Sequence, residues 1–159
     1  MLPKGENLHE IAGKSNISRY HIRVTLMRYL IDTDVKLICI KSPDGPVSAG
    51  KTFDDLERKL PSLKGRKFYG LSKLEGDNLT YFACVKVQGE EDTSELGFQE
   101  IVLPKGEYER EVIIDWEEHT DQISEQFEKI ESKNIVDPQR FFVEFYKSQK
   151  ELILMVPIK

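Results

Sequence analysis

The sequence predicts an α+β fold, a tandem duplication of a strand-helix-strand-strand unit. The two units form a joined antiparallel sheet with two helices on one face and a ligand cleft between repeats. Three observations predict it. Short β-branched and aromatic stretches outnumber the two segments with helical period. The order strand, helix, strand, strand over residues 35–87 recurs over residues 111–158. Pro, Gly, Asp and Asn clusters separate the stretches where turns are needed. A chain of 159 residues holds one domain, or one with a small appendage. The division is an N-terminal segment, 1–33, and a main domain, 34–159.

Composition narrows the function classes. Hydrophobic residues make up 39%, enough for a core, but the apolar runs are too short for a membrane span. The start of the chain has no secretory pattern, so a cytoplasmic protein is expected. Cys39 and Cys84 sit in apolar runs and read as buried free thiols in a reducing compartment. His9, His21 and His119 form no metal-binding spacing, and nothing calls for a cofactor. The net charge is −5, yet residues 1–30 hold five Lys/Arg against two Asp/Glu. A basic head on an acidic body suggests two separate tasks.

In the head, Leu8, Ile11 and Ala12 share a helix face, Ser15-Asn16 is a turn signal and Ser18 suits an N-cap. A second helix would then carry Ile22, Leu26 and Tyr29, with Arg19 and Arg23 near its start. These residues resemble one partial helix-turn-helix of AraC-type transcription regulators. Val24 and Leu26 depart from that pattern, and a single unit does not point to DNA binding by this chain alone. The alternative is that Ile22 to Leu26 forms the first strand of the following domain.

The main domain opens with a buried strand, Val35 to Ile40, broken by Pro43-Asp44-Gly45-Pro46. Gly50 to Leu60 reads as a helix with Phe53, Leu56 and Leu60 on one face. Lys67 to Ser72 and Leu79 to Val87 form a hairpin around Gly76-Asp77-Asn78. After an acidic loop, Phe98 to Leu103 and Tyr108 to Ile114 are strands turning at Pro104-Lys105-Gly106. Trp116 to Lys133 reads as the second helix, with Ile123, Phe127 and Ile130 inward. Phe141 to Lys147 and Glu151 to Ile158 close the chain as a hairpin.

The stretch Phe141 to Lys147 carries the strongest functional signal. Period 2 puts Phe142, Glu144 and Tyr146 on one face and Phe141, Val143 and Phe145 on the other. A carboxylate among aromatic rings loses solvation, which raises its pKa. Either this is an edge strand with Glu144 in water, or it is the floor of an aromatic site for a cation or a hydrogen-bonding organic molecule.

Gly45-Pro46, Lys67-Phe68-Tyr69-Gly70-Leu71-Ser72, Tyr81-Phe82-Ala83-Cys84-Val85, Ile101 to Tyr108, Phe142-Val143-Glu144-Phe145-Tyr146 and Val156-Pro157-Ile158-Lys159 occur in that order. This ordered set resembles the GyrI-like small-molecule-binding domain, the effector-binding domain of AraC/Rob-type bacterial regulators. The resemblance covers about residues 34–159. It implies a pocket between the repeats with Glu144 at its base, Tyr146 and Tyr81 lining it, and a small-molecule partner that is a lipophilic cation. Phe142, Tyr69, Trp116 and Met155 are further candidates: Tyr69 beside Gly70, Trp116 as a lid or a packing residue, Met155 as an adaptable wall. Ile153 and Met155 stand where family members often carry an acid and an aromatic.

Two other readings remain open. Glu144 could serve as a general base in a hydrolase, as in some proteins resembling this domain. An exposed acidic face could instead bind a protein partner.

Overall fold

The computed structural model describes residues 27–159. The helix-turn-helix pattern and the alternative strand over 22–26 lie outside the described residues. The elements are β1 (Met27–Ile31), β2 (Val35–Lys41), α1 (Ala49–Lys59), β3 (Phe68–Glu75) and β4 (Asn78–Lys86). They continue as β5 (Gln99–Leu103), β6 (Gly106–Ile114), α2 (Ile123–Glu131), β7 (Phe142–Tyr146) and β8 (Glu151–Pro157). Tyr29, a helix-face residue in one sequence reading, lies in a strand.

The strands form one antiparallel sheet in the order β1-β6-β8-β7-β3-β4-β2-β5. From the centre outward, β7-β8-β6-β1 repeats β3-β4-β2-β5, so a pseudo-two-fold axis passes between β7 and β3. Each repeat begins with one strand more than the expected unit, and that strand crosses over. β1 pairs with β6 of the second repeat, and β5 pairs with β2 of the first. The registers agree: Ile31 faces Gly106 as Leu103 faces Val35.

This exchange forces the sheet to curl. In a flat sheet β1 and β2 would stand about 29 Å apart at normal strand spacing. The link from Ile31 to Val35 reaches about 14 Å at most. The two ends must therefore roll toward each other, giving a half-barrel. The amide of Lys105 donates to Asp34 Oδ1 at 2.8 Å, joining the two links.

The faces pack differently. One apolar cluster holds Ile31, Leu37, Tyr69, Phe82, Leu103, Tyr108, Val143 and Met155, so every strand contributes to the inside of the curl. The outer face carries two separate clusters. Leu56 of α1 and Leu60, the residue that ends it, cover Ile38, Ala83 and Val85. Ile130 of α2 covers Ile113, Leu152, Leu154 and Val156. Both helices lie on this face, as expected, and the joint between the repeats runs between them.

Three expectations change. The helix expected from Trp116 is two 3-10 turns, Trp116–Glu118 and Thr120–Gln122, before α2 begins at Ile123. Asp115 takes a left-handed backbone (φ 54°), its amide donates to the Lys150 carbonyl at 2.6 Å, and Trp116 Nε1 donates to the Ser148 carbonyl at 3.0 Å. These bonds tie the chain to the β7–β8 turn before it can run along a helix axis. The edge-strand reading of Phe141 to Lys147 also falls, because β7 lies between β8 and β3.

The cysteines are not free thiols. Cys39 and Cys84 face each other across β2 and β4 with Cα atoms 4.1 Å apart, and they form a disulfide. The thiol argument for a reducing compartment is lost with them. Among the described residues no helix is long and apolar enough to cross a membrane.

Candidate functional site

At the centre of the sheet, Gly70 of β3 pairs with Glu144 of β7. The pair sits on the pseudo-two-fold axis, so the two positions are equivalents that carry different residues. One repeat supplies a carboxylate and the other supplies no side chain at all. Glu144 points to the outer face, between the two helices.

Glu144 is 9% exposed, and its carboxylate accepts two hydrogen bonds at one oxygen. Tyr81 Oη of β4 donates to Glu144 Oε1 at 2.6 Å, and Tyr146 Oη of β7 donates to the same atom at 2.6 Å. Among the described residues, Oε2 has no hydrogen-bond partner and no cation pairs with the group. Gly70 makes this closure possible. A Cβ there would collide with Tyr81 Oη and stand 2.5 Å from Glu144 Oε1.

Aromatic rings enclose the group. Phe53 of α1 meets Tyr146 edge-on at 5.3 Å and Tyr81 at 6.4 Å. Trp116 meets Tyr146 at 5.0 Å. Tyr146 thus stands between a ring of α1 and one from the turn preceding α2, bridging the two repeats.

Burial pushes the Glu144 carboxyl above its ordinary range, and the bonds from Tyr146 and Tyr81 oppose this without overcoming it. Burial, then the neighbouring Glu144 charge, pushes both tyrosine hydroxyls up as well, so they stay protonated donors. The arrangement can keep a neutral carboxylic acid inside the protein. It can also offer an ionised carboxylate, already held by two donors, to an incoming cation.

Of the sequence candidates, the structure brings Glu144, Tyr81, Tyr146 and Trp116 together. Phe142 shares their face but packs on Phe127 of α2 at 5.4 Å. Tyr69 and Met155 do not join them. Tyr69 pairs with Phe145 and Met155 with Val143, so both point into the half-barrel, on the opposite side of the sheet. Tyr69 stacks on Phe145 there at 4.9 Å. Phe53 is the site residue the sequence did not mark. Its inward position on α1 was visible, but not the two tyrosines it meets.

No protein-family model matches the chain, and no curated protein matches it in sequence. Solved structures do. An integron cassette protein from the mobile metagenome of Vibrio cholerae superposes with a TM-score of 0.65 at 12% identity, covering 85% of this chain and 96% of that one. SAV2435, solved bound to tetraphenylphosphonium, superposes with a TM-score of 0.56 at 18% identity, covering 84% and 93%. A Staphylococcus aureus MU50 protein assigned a proposed role in bacterial transcription regulation gives 0.52 at 13%, covering 84% and 97%. The likeness is one of fold, and the fold is the GyrI-like one that the sequence resemblance implied.

Proposed function

We propose that this chain binds small amphipathic organic cations at Glu144 and serves as the sensing domain of a bacterial transcription regulator. One observation carries the reading: a buried carboxylate with no cation partner among the described residues, held by two tyrosine hydroxyls among aromatic rings. A protein of the same fold binds tetraphenylphosphonium, which supports the ligand class. A second one carries a proposed regulatory role, which supports the setting.

The energetics suit such a ligand. An aromatic cation placed against Tyr146 and Trp116 gains about 0.5–2 kcal/mol per ring face once partly desolvated. Glu144 supplies the opposite charge in surroundings that screen it poorly. Micromolar affinity, about −8 kcal/mol, is the expected scale. A single carboxylate held by two tyrosine hydroxyls is sufficient to bind a cation.

Trp116 is the only tryptophan in the chain and touches the site. Its fluorescence, titrated with a panel of lipophilic cations and neutral aromatics, tests the reading. Saturable binding of cations, weakened about 10- to 100-fold in Glu144→Gln, is expected. Equal affinity in the variant, with calorimetry agreeing, would remove Glu144 from the function.

A further inference from the structure

We propose that the site selects cations that carry an N–H donor, such as protonated amines and amidines, over permanently charged onium ions of the same size and shape. The proposal rests on the cation-binding reading above and names the ligand class more narrowly.

The asymmetry of the Glu144 carboxylate carries it. A carboxylate offers about four acceptor positions on two oxygens. Both tyrosine hydroxyls donate to Oε1, and Oε2 has no partner among the described residues. Among the described residues no side chain other than the two tyrosines donates to the carboxylate. Phe53, Phe68 and Leu154 have only apolar side chains, and the Trp116 N–H is committed to the Ser148 carbonyl at 3.0 Å. A ligand that displaces water from Oε2 therefore keeps that oxygen satisfied only if it brings a hydrogen-bond donor of its own.

An ammonium N–H reaches a carboxylate oxygen at about 2.8 Å in a charge-assisted bond. A trimethylammonium or phosphonium centre gives no hydrogen bond, and its substituents hold the charge farther away. At equal screening the attraction varies as the inverse of distance, so onium ions lose part of the Coulomb attraction as well as the bond. The tetraphenylphosphonium found on SAV2435 has no N–H to give, so this preference does not come from the likeness of fold.

A matched pair of probes tests the proposal by calorimetry at pH 7 on the full chain. They are 2-naphthylmethylammonium and (2-naphthylmethyl)trimethylammonium, with 2-naphthylmethanol as the neutral control. The ammonium is expected to bind at least about tenfold more tightly than the trimethylammonium. That ratio should collapse toward one in Glu144→Gln. Equal or tighter binding of the trimethylammonium to the wild type would overturn the proposal and leave the cation reading intact. No binding of either cation at millimolar concentration, or equal binding of the neutral alcohol, would overturn both. The wild-type ratio decides the matter even if the variant fails to fold.

Discussion

Glu144 couples protonation to stability at the scale of one residue and, under the proposed function, couples both to ligand binding. Its folded pKa lies above the ordinary value of 4.5, so the native state holds the proton more tightly than the unfolded state. The stability this contributes is complete below about pH 4.5 and fades as pH rises through the folded value. The groups facing it are Tyr81 and Tyr146, whose own pKa values are pushed up, so they remain protonated over this range. Glu144→Gln cannot ionise. Its stability relative to wild type should therefore improve steadily as pH rises from about 4.5, as urea unfolding at a series of pH values would show. A difference that stays flat from acid to alkaline pH would show that burial does not raise this pKa. The same sign applies to ligands: a cation prefers the ionised form, so its affinity should increase with pH across the same window. Gly70 makes a second prediction. Alanine there would push against Tyr81 and Glu144, with an overpacking cost of about 1–3 kcal/mol. Gly70→Ala should lower the unfolding midpoint and weaken cation binding together; a variant that melts and binds like wild type would show that the closure is not needed.

At the scale of elements, what the sequence revealed and what it hid follow from the same rule. Period 2 sorted β7 correctly, with Glu144 and Tyr146 on one face and Val143 and Phe145 on the other. It could not place residues from different strands on a common face, because that requires the register between strands. Without it, Tyr69 and Met155 read as neighbours of Glu144, and the register turns both to the other face. One register fact, Gly70 opposite Glu144, would have put Tyr69 on the other side. Trp116 reads as helical because Ile123, Phe127 and Ile130 after it do repeat with helical period. The left-handed backbone at Asp115 and the bond to the Lys150 carbonyl depend on where β8 lies, and a local pattern does not contain that. Cys39 and Cys84 teach the same lesson. Each looked like a buried core residue, and only the pairing of β2 with β4 makes them partners. Their bond closes a loop with a sequence separation of 45, which predicts about 2–4 kcal/mol of stabilisation. Reduction, or the double change Cys39→Ala with Cys84→Ala, should lower the unfolding free energy by that amount and bring the midpoint down with it. If reductant leaves the midpoint of the wild type unchanged, the bond is not contributing.

On the scale of the whole molecule, the duplication does not produce two independent halves. The repeat read from sequence left out its first strand, and that strand does the joining. β1 finds its partner, β6, in the second repeat, while β5 returns to β2 in the first. Removing either repeat therefore strips a strand from the other and opens the cluster inside the curl, to which all eight strands contribute. The site is divided in the same way: Phe53, Gly70 and Tyr81 come from one half, and Trp116, Glu144 and Tyr146 from the other. Folding and site assembly should then be a single event. The full chain is expected to unfold in one cooperative transition, with Trp116 fluorescence and far-ultraviolet circular dichroism sharing a midpoint. A fragment ending at Gln88 keeps α1 and the β3–β4 hairpin but loses the partner of β1 and the β5 edge of β2. It should show no cooperative melt and no dispersed amide spectrum, disulfide or not. A fragment that folds alone would mean that each repeat is a domain in its own right. The carboxylate and its tyrosine donors would then be brought together by docking two preformed units, and ligand affinity would depend on how firmly those units associate.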